Sequence, residues 1–114
     1  MCNGAIEVAK ECNAKIIIAL TNKGFSAKMI SRYKPEQKIL ALTPKISTRN
    51  QLSLSYGCVS FVCKKFGEII PAIKEAKALA LKSGLGIKGD KIVVIFGFPL
   101  GEVIGTNTLM VETL

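Results

Sequence analysis

Four short apolar runs constrain this chain more than any other feature: "KIIIAL" at 15–20, "KILAL" at 38–42, "CVSFV" at 58–62 and "KIVVIF" at 91–96. The first and last carry no polar residue from 16 to 20 or from 92 to 96. A strand without a polar face must be covered on both sides, which is the environment of a parallel sheet held between helices. The segments between the runs have a helical period instead. "NGAIEVAKECNA" groups Ile6 and Ala9 with Val8 and Cys12, and "SAKMISRYK" groups Met29, Ile30 and Tyr33 before Pro35 stops it. Thr43-Pro44 offers a third helix start with proline in the first turn, followed by Ile46, Leu52 and Tyr56 on the way to Gly57. A fourth helix is expected from about Ile70-Pro71 to Ser83, with Ile73, Ala76, Leu79 and Ala80 inward and Gly84 as its C-cap.

Helix and strand alternate with short connections, except once. Between Phe96 and "TLMVETL" lie about a dozen glycine-rich residues with no helical period. A strand reached without a helical crossover runs antiparallel to its predecessor. The expected fold is therefore α/β and three-layered: a five-stranded mixed, mostly parallel sheet with helices on both faces and the last strand antiparallel. At 114 residues the chain is one domain, 1–114, too short for an eight-stranded α/β barrel of about 250 residues.

Composition narrows the function classes. Hydrophobic residues make up 49% of the chain, enough for a core, yet no apolar run approaches the roughly 18 residues of a membrane span. The N-terminus "MCNGAIEVAKECNAK" has acidic residues and no apolar signal region. The expected setting is cytoplasmic, with no membrane partner. Cys2, Cys12, Cys58 and Cys63 form no C-x-x-C pair, and with no histidine anywhere they complete no zinc site. They read as free thiols. The missing histidine also removes the usual general base, and no carboxylate pair is placed to work together, so the 114 residues alone are expected to be catalytically inactive. The net charge of +8 is compatible with anionic partners, but the sixteen basic residues read as dispersed over solvated faces and do not interleave with aromatics. Nucleic acid is not an expected partner.

Glycine appears in one decoy and two candidates. Gly84, Gly86 and Gly89 have G-x-G-x-x-G spacing, but they follow a helix and precede a strand, the reverse of a dinucleotide-binding turn. They are expected to be a C-cap and a turn. "LTNKGFSAKMISRYKP" runs from strand through a small-residue turn into a helix. Such a turn either caps the helix or points N–H groups and the helix dipole at an anion. "GFPLGEVIGTN" follows the last buried run, and its glycines either make a connector or permit close backbone approach to a ligand.

In order and spacing, "TNKGFSAKMISRYKP", "ILALT", "RNQLSLSYG" and "ALALKSGL…KGDKIVVIFGFPLGEVIGTN" resemble the C-terminal domain of pyruvate kinase over essentially the whole chain. The resemblance implies a regulatory and oligomerisation domain of a glycolytic phosphotransferase. The catalytic barrel that precedes this domain in the family would hold substrate, magnesium and potassium, and these 114 residues would hold no cofactor. In regulated members a phosphorylated effector such as fructose 1,6-bisphosphate sits between the turn and the last glycine-rich loop. Carried over by position, its contacts would be Thr21, Asn22, Lys23, Gly24, Phe25 and Ser26, with Gly101, Gly105, Thr106 and Asn107 from the loop. The family often has serine where Lys23 stands and a basic residue where Phe25 stands, and no lysine or arginine lies between Gly97 and Asn107. That leaves a monophosphate effector, or none, as alternatives. The resemblance further implies a tetramer in which these domains pair two by two, and Phe61, Phe66 and Leu54 are apolar residues beyond the needs of one core. The alternative reading is a stand-alone domain that binds a phosphorylated small molecule without a catalytic partner in the same chain.

Overall fold

The computed structural model describes residues 2–21, 25–32, 37–44, 46–52, 58–62, 69–96 and 108–114. The elements follow in the order α1 (Cys2–Glu11), β1 (Ile16–Leu20), α2 (Phe25–Arg32), β2 (Lys38–Thr43), α3 (Ile46–Leu52), β3 (Cys58–Val62), α4 (Ile69–Lys82), β4 (Lys91–Phe96) and β5 (Thr108–Thr113). The strands form one five-stranded sheet in the order β3-β2-β1-β4-β5. β1, β2, β3 and β4 are parallel, and β5 pairs antiparallel with β4 from Lys91↔Thr113 to Phe96↔Thr108. This is the architecture expected from the alternation of aliphatic runs and helical segments.

The sheet alternates its side chains between two cores. Ile17, Ala19, Ile39, Ala41, Val93 and Ile95 meet Ala5, Ile6 and Ala9 of α1 and Ala27 and Ile30 of α2 on one face. Ile16, Ile18, Leu20, Leu40, Leu42, Ile92, Val94 and Phe96 meet Ala72, Ile73, Ala76 and Ala80 of α4 on the other. The continuous runs are thus explained position by position, since consecutive residues serve opposite layers. Alanines at the helix contacts let α1, α2 and α4 lie close to the strands.

Two helices end in the same way for the same reason. After α4, Gly84 adopts φ +78°, its N–H donates to the Leu81 carbonyl, and the Leu85 N–H donates to Ala80 at 3.1 Å. After α1, Asn13 adopts φ 56°, its N–H donates to Lys10, and the Ala14 N–H donates to Ala9 at 2.9 Å. Both are Schellman motifs, which need one left-handed residue; glycine takes that conformation freely and asparagine tolerates it. The expected dinucleotide decoy resolves accordingly. Gly84 caps α4, and Gly89, at φ +100°, occupies a turn in which the Asp90 N–H donates to Ile87.

Three details depart from the expectation. Ile46 is exposed and Thr48 is the buried residue of α3. The six steps from Ile46 to Leu52 turn the helix through about 600°, which leaves these two positions about 120° apart and on different faces. Pro44 lies ahead of α3 rather than in its first turn, because the residue before a proline is held in extended conformation and Thr43 continues β2 as the partner of Val62. Phe61 is half-buried against the α4-side core instead of being left over for pairing between copies. Tyr33, Leu54, Tyr56 and Phe66, together with the side chains of Met29 and Leu52, lie outside the described residues.

Candidate functional site

β1 is the centre of the sheet, and the first candidate turn leaves from its C-terminal end. Thr21 is buried, and its N–H donates to the Leu42 carbonyl at 3.0 Å, which adds one rung to the β1–β2 ladder. The backbone is therefore fixed up to the residue where the turn begins. α2 starts at Phe25, with buried Ala27 and Ile30 anchoring it to the α1 side of the sheet. Phe25 and Ser26 stand in its first turn, where backbone N–H groups have no partner within the helix and the dipole is positive. Asn22, Lys23 and Gly24, and the side chains of Phe25 and Ser26, lie outside the described residues.

The second candidate leaves from the adjacent strand. β4 pairs with β1 through Ile95↔Ala19, so Phe96 ends β4 beside the end of β1. Phe96 is fully buried and pairs with Thr108, where the chain returns as β5. Gly101, Gly105, Thr106 and Asn107 lie outside the described residues, but both ends of their segment are fixed at this edge. The edge is also the switch point of the sheet. From β1 the chain crosses to β2 and β3 on one side, then returns through α4 to β4 on the other. In open α/β sheets the crevice outside the strand ends at such a point is where ligands bind. The turn and the loop, 75 residues apart at Thr21 and Phe96, thus originate side by side.

Reading the sequence missed an arrangement at the opposite edge. Lys15, Lys38 and Lys91 stand on three neighbouring strands; the Lys15 N–H donates to the Lys91 carbonyl at 2.9 Å and the Lys38 N–H to Lys15 at 3.4 Å. All three are exposed. The signal was in the sequence, since a lysine immediately precedes each of three aliphatic runs. It becomes spatial only once those runs are known to be parallel and in register.

Of the four cysteines, Cys63 and the side chain of Cys2 lie outside the described residues. Cys12 and Cys58 are free and half-buried, and burial pushes the Cys58 thiol up to about 11, which holds it protonated at neutral pH. Among the described residues no three histidine, cysteine, aspartate or glutamate side chains gather as metal ligands, and no helix is long and apolar enough to cross a membrane.

Residues 1–112 match the family model described as pyruvate kinase, alpha/beta domain. The pyruvate kinase of Clostridium perfringens is 36% identical over 110 residues, covering 96% of this chain and 23% of that protein. The pyruvate kinase of Agrobacterium vitis is 39% identical over 107 residues, covering 94% of this chain and 23% of its own length. Among solved structures, a pyruvate kinase from Cryptosporidium parvum superposes with a TM-score of 0.89 at 29% identity, covering 98% of this chain and 21% of that one. The chain thus spans about a quarter of the length of these relatives.

Proposed function

The chain belongs to the pyruvate kinase alpha/beta domain family, and from that premise we propose that it is the regulatory and oligomerisation domain of a pyruvate kinase, with a phosphorylated effector bound at turn 21–26. The observation that supports this reading is the adjacency of the β1 and β4 C-terminal ends at the switch point of the sheet. An anion seated over α2 would accept hydrogen bonds from N–H groups the helix cannot use internally, with the Ser26 hydroxyl as a further donor. Lys23 and Lys28 add positive potential. A ligand long enough to touch both turn 21–26 and loop 97–107 favours whichever arrangement holds both, and that differential affinity is the only means by which it could bias a catalytic domain.

The parent enzyme would move phosphate from phosphoenolpyruvate to ADP on its barrel, where magnesium and potassium would also be held. Pairing between copies belongs to the same proposal: β3 and β5 are the edge strands, with Val59, Val62 and Val111 exposed on them.

Each charge-assisted hydrogen bond contributes roughly 1.5–3 kcal/mol, and ordering the turn and desolvating the anion offset much of that. The dissociation constant expected for phosphate or a phosphosugar is about 0.1–10 mM. Calorimetric titration of the 114-residue chain with inorganic phosphate and with fructose 1,6-bisphosphate tests this. Ser26→Ala weakens binding, and Gly24→Val abolishes it by blocking the backbone approach. Identical isotherms for the wild type and both variants would rule the turn out.

A further inference from the structure

We draw no further inference here: the strongest candidate, a recess of about 450 Å³ between α3 and the edge strand β3 lined by Arg49, Asn50, Cys58, Val59 and Ser60, carries nothing, because the Ser60 hydroxyl already donates to the Arg49 carbonyl and the Arg49 guanidinium to Asn50, residues 53–57 beside it lie outside the described residues, and nothing in the structure shows what occupies it.

Discussion

The α1–β1 and β4–β5 connections, at opposite ends of the parallel strands, are built on different plans. At the N-terminal edge, four residues join α1 to β1, and all four N–H groups from Cys12 to Lys15 are hydrogen-bonded to backbone. The connection from α4 to β4 is similarly tied. The Gly89 N–H donates to Leu114 and the Leu114 N–H to Asp90, each at 2.8 Å, which locks the 87–90 turn against the end of β5. At the C-terminal edge, residues 97–107 join two strands whose ends, Phe96 and Thr108, are already paired. A hairpin there needs only about two residues. Closure therefore does not explain the length of that connection, whereas each of the four residues between α1 and β1 is tied down by a backbone hydrogen bond. Surplus backbone beside the switch point is what a ligand-holding loop requires, and compact hydrogen-bonded turns are what a rigid base requires.

Substitutions that break one end and spare the other measure this difference. The largest effect is expected from Phe96→Ala. Phe96 is fully buried at the root of the long connection, and its loss costs about 3–5 kcal/mol of stability, measured by urea unfolding. Gly89→Ala strikes the other end. It places a side chain at φ +100° with no steric neighbour to blame, so conformational strain alone costs about 1–2 kcal/mol, and phosphate binding at the far edge is unchanged.

A pH series adds a test at Cys58, which begins β3 at the N-terminal edge. In the unfolded chain its thiol titrates near 9.0, and in the folded chain at about 11. Below pH 9 it is protonated in both states and contributes no pH dependence. As pH rises from 9 to 11 the unfolded chain releases its proton first, so stability falls across that window. The difference between wild type and Cys58→Ala, followed by urea midpoint, isolates this residue. The smallest effect is expected from Lys77→Met. The Lys77–Glu112 bridge at 3.1 Å ties α4 to β5 but remains about one-third exposed, so its removal costs roughly 0.2–1 kcal/mol, less in high salt.

How far the sequence carried depended on the range of the information needed. Buried strands β1, β2 and β4 were legible because an uninterrupted aliphatic run admits few environments. The antiparallel β5 was legible because its connection lacks a helix. Gly84 and Gly89 were legible because local order decides between a nucleotide turn and a C-cap. The exposure of Ile46 was not legible because a short helix offers too few turns for its period to be phased, and Pro44 was misread because Thr43 before it continues β2. Phe61 was misread because burial on an edge strand depends on what the opposing layer supplies. The lysine row was invisible for a different reason: Lys15, Lys38 and Lys91 are up to 76 residues apart, and only strand register brings them together. For the candidate effector site, the sequence identified the two segments, and the strand order supplied their adjacency.

The central claim is that the C-terminal edge, built from turn 21–26 and loop 97–107, is an anion site and not a helix cap beside a long connector. Its most direct test is an amide shift titration of the chain with fructose 1,6-bisphosphate. The account predicts saturable shifts at 21–26, accompanied by shifts across 97–107 as one ligand engages both, with half-saturation at about 0.1–10 mM. Shifts confined to residues outside both segments, or none that saturate below about 50 mM, would contradict it.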